Sequence, residues 1–448
     1  MDKRDTIVQT ERLLEKNKVY ELPRVSMRKN RKNSLAFNWT TRSGRSKKLI
    51  LITAIMLISI VAITLFLTLA SGVPVPSGPC DYCTTHKGPH MHPDEELRMV
   101  HMVLRHGART IVDTYPKDPH YNHTFYPYGR GQLTNEGKKT LFEIGLWARK
   151  RYGKLLGDTY QDSAIHAQST GVTRTQMSIA LVLAGLWEPK GTTLEWNKKL
   201  NWLPIPYSYE ELEKDTLLLV RTSCPRYSEE LANVLKSGEI LEIIERSQTL
   251  FEELHNITGN NFKTPDDIQD LYSTLKAEHE FGLVLPEFIR DYFPHRLQEL
   301  TDLSYIVNVY NDELKKIKGG PFLKKTLNEW KLRAANNTDV KKMYLYVGHD
   351  ATVVNVMSAF NVWAPQFPDY ATTGVFELYQ NKKTGVWGVQ ILLNKNDAGT
   401  QLLNIPGCEN PCPLDKLETL LANHIPGDMA EECKPLQEGF TDAPNRGP

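Results

Sequence analysis

The chain has almost no net charge: across 448 residues, 54 Lys and Arg stand against 53 Asp and Glu, a formal charge of +1. Nucleic acids are held largely by clustered cations that neutralise phosphates, and a chain this balanced gives no sign of such a partner. Cysteine is scarce as well, with 6 in all and none before Cys80. The close pair Cys80 and Cys83 lacks a second ligand pair that would complete a zinc site; it is left to bridge internally or between subunits. Long apolar runs are equally rare. One exists, LILITAIMLISIVAITLFLTLA at 49–70, and no second one follows it.

That run is uncharged and long enough to cross a bilayer. Ahead of it, residues 1–48 hold fourteen Lys or Arg against five Asp or Glu, while the stretch just after it is nearly uncharged. Basic flanks stay cytoplasmic, and the apolar part of a cleaved signal peptide is shorter than this one. The pattern predicts a single-pass type II membrane protein: a basic cytoplasmic tail (1–48) that is disordered, a signal anchor (49–70), a Pro/Gly-rich lumenal stem (71–95), a folded domain (96–434) and a polar C-terminal tail (435–448). The folded domain is then lumenal or extracellular, in the Golgi, a lysosome or at the cell surface. All six cysteines fall on that side, as an oxidising compartment requires. So do the glycan acceptors Asn122, Asn256 and Asn336, whereas Asn38 sits in an acceptor triplet on the cytoplasmic side.

The chemistry begins at RHGART, Arg105 to Thr110, which follows an apolar run ending at Leu104. Two guanidinium groups flank one imidazole. Arginine matches phosphate oxygens with planar bidentate donors, and a neutral imidazole nitrogen can attack phosphorus and carry the phosphoryl group. Gly107 is expected to let the backbone turn sharply beneath them. Alone, the motif is also compatible with a solvated basic turn. Far downstream, MYLYVGHDAT from Met343 to Thr352 repeats the design: an apolar strand, then Gly348, His349 and Asp350. Loops at the carboxyl ends of parallel strands converge on the ligand site, so the two motifs can meet. His106 would attack, Asp350 would protonate the departing oxygen, and Arg105, Arg109 and His349 would hold the phosphoryl oxygens. No metal or other cofactor is required.

With these motifs on view, the chain resembles the histidine acid phosphatases of the prostatic and lysosomal type. The resemblance extends to GRGQLTNEG (129–137), QSTGVTRTQMS (168–178), SCPRYSEEL and ATTGVFEL, and covers about 96–433. It implies an α/β fold, a mostly parallel mixed sheet flanked by helices with a smaller inserted helical cap. It also implies a two-step phosphomonoester hydrolase, with His106 phosphorylated and Asp350 as proton donor, working at acidic pH. Cys224 would pair with Cys433 and Cys408 with Cys412. A homodimer is a further expectation, and the substrate would be a small or glycan-linked phosphomonoester.

One departure stands out. The family pattern carries an arginine just before the Ser-Thr of the QST segment, read as a third guanidinium on the phosphate, and here that position is Gln168. Losing a charge-assisted hydrogen bond costs about 1.5 to 3 kcal/mol, roughly tenfold to a few hundredfold in rate. His166 or Arg174 would have to compensate, although Arg174 matches a separate family position on the next helix and reads as structural. A nearly inactive phosphate-binding protein is therefore the rival reading. Against it, a pure binder needs neither His106 nor Asp350. An inositol-phosphate phosphatase would need a richly basic pocket, which the cap segment does not supply.

Periodicity fills in the rest. A continuous apolar strand is expected at 99–104, helices at 134–152 and 174–185, amphipathic cap helices within about 205–310, and a hairpin joining 373–381 to 386–394 through KKTG.

Overall fold

The computed structural model describes residues 93–218, 223–395, 399–440 and 442. The basic tail, the apolar run 49–70, the stem up to 92, Asn38, Cys80 and Cys83 lie outside them. Among the described residues, no helix is long and apolar enough to cross a membrane.

Along the chain come β1 (Glu95–Arg105), α1 (Asn135–Leu156), β2 (Ile165–Thr170), α2 (Thr173–Leu186) and β3 (Ser208–Glu210). Six helices follow: α3 (Pro225–Leu235), α4 (Gly238–Arg246), α5 (Gln248–Thr258), α6 (Pro265–Glu280), α7 (Glu287–Arg290) and α8 (His295–Val307). The chain then passes through α9 (Asp312–Lys318) and α10 (Gly320–Ala334) into β4 (Met343–Gly348) and α11 (Asp350–Ala359). It closes with β5 (Thr373–Asn381), β6 (Trp387–Lys395), β7 (Gly399–Leu403), β8 (Cys412–Pro413), α12 (Leu414–Leu420) and α13 (Met429–Glu432).

One sheet runs in the order β3-β2-β4-β1-β5-β6-β7, with β8 on β6. Its first half is parallel, β3 to β2 to β4 to β1. Its second half is an antiparallel meander, in which β5 and β6 form the expected hairpin. β1 sits at the change of direction. Its apolar run covers both faces: Val100, Met102 and Leu104 join a core with Leu141 and Ile144 of α1 and Ile179 and Val182 of α2. Met99 and Val103 join another with Phe322 and Trp330 of α10 and Val353 and Met357 of α11.

Local chemistry sets the helix ends. The Thr134 side chain accepts from the Gly137 amide at the start of α1, where Glu136 also lies, and Lys154 falls in its last turn, each favourable to the helix dipole. α6 opens with a capping box between Thr264 and Asp267 and with Pro265 in its first turn. α1 and α2 touch backbone to backbone, because a Cβ on Gly145 would stand 2.2 Å from the Val182 carbonyl oxygen.

The helical segment has its own core, including Phe251, Leu271, Leu275, Ile289 and Leu297, onto which Tyr115 from the loop after β1 also packs. Its expected limits need correction at the start. β3 falls within 205–310 but pairs with β2 through Gln168 and Ser208, so it belongs to the sheet and the helices begin only at Pro225. Two disulfides, Cys224–Cys433 and Cys408–Cys412, match the expected pairings; the first ties the start of α3 to the end of α13. Asn122, Asn256 and Asn336 are all exposed.

Candidate active site

β1, β4 and β2 are neighbours, and their carboxyl ends deliver the polar residues. Arg105 is the last residue of β1. His106 follows it, its amide donating to the Gly348 carbonyl at 3.0 Å and its carbonyl accepting from Ala371 at 3.1 Å. The His106 backbone is thus clamped between the end of β4 and the entry to β5. Gly107 serves a different purpose from the sharp turn expected of it, since its φ lies outside the left-handed region. A Cβ there would come within 2.6 Å of the Gly137 carbonyl oxygen, and one on Gly137 within 2.3 Å of that of Ala108. Glycine is needed because the loop presses on the first turn of α1.

The tautomer of His106 follows from its hydrogen bond. Nδ1 lies 2.9 Å from the Gly107 carbonyl oxygen, which can only accept, so Nδ1 carries the proton and Nε2 keeps its lone pair. Burial lowers the imidazole well below its ordinary value, and the charges of Arg174, Arg105 and Arg109 lower it further. It therefore keeps its neutral form to lower pH than an exposed histidine.

The cations around it are crowded. Arg105 is fully buried; it donates to the Pro368 carbonyl at 2.7 Å, pairs with Asp350 at 2.9 Å and lies 4.3 Å from the centre of the Tyr370 ring. Arg109 donates to the Thr110 carbonyl at 3.0 Å. Arg174, only 5% exposed, approaches His349 Nδ1 at 3.3 Å. Burial and the neighbouring Arg109 pull the Arg174 guanidinium down to about 10, against the opposing pull of Asp350. Three guanidinium groups share one carboxylate, and such an excess of buried positive charge is made for an anion.

Asp350 opens α11, with Oδ1 accepting from the Ala351 amide at 2.8 Å. Burial pushes its carboxyl up, but Arg105, the Ala351 amide and Arg109 outweigh that and hold it below the usual carboxylate range. Asp350 is therefore held as a carboxylate among these groups. A bound phosphate would compete for Arg105 and push the carboxyl back up, towards the protonated form that a general acid needs. Burial and the Asp350 charge also push the Tyr305 hydroxyl well above its ordinary value.

The sequence-predicted residues thus divide. His106, Arg105, Arg109, His349 and Asp350 come together. His349 differs in detail from an oxygen-holding group: arginine can only donate, so His349 Nδ1 accepts from Arg174 and Nε2 donates to Thr170 Oγ1 at 3.0 Å. It orients Arg174. Gln168 is not brought in. It lies opposite Tyr346, two residues short of the end of β2, which is about 6–7 Å back along the strand, and its Oε1 faces His166 Nε2 at 3.3 Å. His166 stays with it. The third guanidinium comes from Arg174, read from sequence as structural. The available signal was its place in the first turn of α2 (Thr173–Leu186), because helical side chains lean back towards the N-terminus, here over the strand ends.

Two cavities meet at Arg109. One of about 260 Å³ reaches Asp350 and the cap residues Gln269, Ser273 and Thr274. The other, about 670 Å³, runs past Ala108 and Tyr370 between α1 and α6.

A family model described as the histidine phosphatase superfamily (branch 2) matches residues 96–394. The venom acid phosphatase Acph-1 of Apis mellifera is 34% identical over 344 residues, 75% of this chain and 88% of that protein. Human prostatic acid phosphatase is 33% identical over 346 residues (76% and 88%), and human lysosomal acid phosphatase 32% over 343 (75% and 80%). Among solved structures, the phytase of Citrobacter braakii superposes with a TM-score of 0.58 at 16% identity, covering 76% of this chain and all of that one; this likeness concerns the fold.

Proposed function

The chain belongs to the histidine phosphatase superfamily, branch 2, and is an acid phosphatase that hydrolyses phosphomonoesters; from that premise we propose that His106 is its nucleophile and Asp350 its proton donor. Nε2 of His106 attacks phosphorus while Asp350 gives its proton to the ester oxygen, so that the N–P bond forms as the P–O bond to the leaving group breaks. Water then attacks the phosphohistidine, loses a proton to the Asp350 carboxylate and releases phosphate and the free imidazole. Arg105, Arg109 and Arg174 hold the three equatorial oxygens as charge moves onto them, and His349 keeps Arg174 in place. The observation that carries this assignment is the neutral, Nδ1-protonated His106 buried among three guanidinium groups.

The premise of the rival binding-protein reading was a missing arginine. Arg174 occupies that role, so Gln168 gives no ground for expecting lost turnover.

The two disulfides fit an oxidising compartment, lumenal or extracellular. Within that, we assign type II anchoring through 49–70, supported by the basic 1–48 tail, and glycan attachment at the exposed Asn122, Asn256 and Asn336. A homodimer is supported by the outer edge of the sheet, where β3, with Tyr209 at its middle, is exposed along its length and Trp196, Trp202 and Tyr207 in the segment leading to it are also exposed.

The test is turnover of an aryl phosphate by the full chain together with trapping of the intermediate. The native protein should acquire an acid-labile, alkali-stable phosphate that His106→Ala cannot form. A His106→Ala chain that retains turnover overturns the assignment.

A further inference from the structure

Beyond the phosphate itself, the larger cavity at Arg109 has a chemistry of its own. Its walls carry Glu136 and Glu143 from α1 and Glu280 and Asp369 from the opposite side, with Tyr128 and Phe281 between them. The cation on that side, Lys276, is already engaged by Glu280 at 2.7 Å and by Asp369 at 3.0 Å. Glu136 and Glu143 form no ion pair among the described residues. Tyr128 and Phe281 meet edge to face with ring centres 6.2 Å apart, which gives the cavity apolar surface as well as negative charge. At its inner end lie Arg109 and the ring of Tyr370, which covers Arg105. Arg174 stands within the same cluster, 5% exposed and with its Nε unpartnered. The site is therefore polarised over a short distance: guanidinium groups that call for one anion, then carboxylates that suit a cation, although Lys138 already lies 5.1 Å from the centre of the Tyr128 ring.

We propose that this cavity is the leaving-group subsite and that it selects phosphomonoesters whose leaving group carries a positive charge, while turning away those that carry a second anionic group. The proposal rests on the phosphatase assignment above and names the substrate class of that site. Attraction to the walls is present in the Michaelis complex and persists in the transition state, so selection appears mainly in KM. A polyphosphorylated ester meets the same carboxylates as repulsion, and like charges brought together at an interface are a strong device for rejecting the wrong partner.

Two aryl phosphates that differ only in the para substituent test this in the full chain: 4-(aminomethyl)phenyl phosphate and 4-(carboxymethyl)phenyl phosphate, compared by kcat/KM at one pH. The cationic ester should be favoured by about tenfold at low salt, and the preference should shrink as ionic strength rises. In Glu136→Gln/Glu143→Gln it should fall about fivefold, and Glu143→Lys should lower it further. Because each comparison is a ratio within one protein, a general loss of activity or yield does not imitate the effect. A wild-type ratio near one, or a ratio unmoved by both variants, overturns the proposal. Absence of turnover on both esters in the wild-type chain instead overturns the phosphatase assignment, and the subsite with it.

Discussion

His101 and His106 lie in one run of chain, the first in the middle of β1 and the second just past its end. Both are almost wholly buried, and burial lowers both imidazoles below their ordinary value. Their neighbours differ in sign. His101 Nε2 meets the Glu329 carboxylate at 2.8 Å, its ring stacks on Tyr344 with centres 4.6 Å apart, and Lys325 pairs with the other oxygen of Glu329. Every charge in that network has a counter-charge. Around His106, three guanidinium groups share Asp350, which is itself held by Arg105. A buried histidine marks a site through unbalanced charge around it, and burial alone does not distinguish the two.

The sharpest way to break this comparison is to delete each ring. His106→Ala should lower kcat by about four orders of magnitude or more, as expected when a nucleophile is removed, with little change in melting temperature. His101→Leu should do the reverse: turnover within a few fold of wild type, but a loss of about 2–4 kcal/mol in denaturant unfolding, because Glu329 loses a buried partner. If both variants lose turnover equally, the distinction fails.

Next in size is Asp350→Asn, which removes the proposed proton donor while keeping the shape. Alkyl phosphates should slow by about 10²- to 10⁴-fold, whereas 4-nitrophenyl phosphate, whose leaving group needs little protonation, should slow far less. Equal losses on both esters would place Asp350 outside proton transfer.

Arg174→Ala should lower kcat/KM roughly tenfold to a few hundredfold. Gln168→Ala should leave it within about threefold, since among the described residues no hydrogen bond joins the Gln168 side chain to the phosphate cluster. The opposite ranking would restore Gln168 to the site.

The smallest effect is on stability in acid. Both imidazoles are lowered by folding, so the unfolded chain takes up protons below its ordinary pKa, about 6.5, that the folded chain refuses until lower pH. Stability should therefore fall as pH drops from about 6.5, by up to about 1.4 kcal/mol per pH unit for each histidine. Urea unfolding at stepped pH should show a shallower slope in His106→Gln than in wild type.

Much of this molecule was legible without coordinates. The run before Arg105, apolar except for His101, calls for a strand covered on both faces, RHGART and GHD sit at strand ends, and the KKTG turn lies between two runs of strand period. Other features were not. Gln168 and Thr170 point to the same face of β2, and only their distance from its end decides that the Thr170 hydroxyl reaches His349 while the Gln168 amide does not. Gly107 looked like a turn residue, yet its need is space against Gly137, which lies 30 residues away. β3 fell inside a helical segment because three exposed residues carry no strand period of their own.

The order of residues alone determined which reactive groups exist, because a nucleophilic imidazole, a carboxylic acid and phosphate-matching guanidinium groups are properties of side chains, and the strand runs before them set where they emerge. Tertiary structure decided which groups act together. Helix α2 turns back over the end of β2 and places Arg174 beside His349, α1 closes on Gly107, and two acidic walls gather from segments far apart in the chain. Electrostatic work depends on distance, and long-range distances are set only when the elements pack.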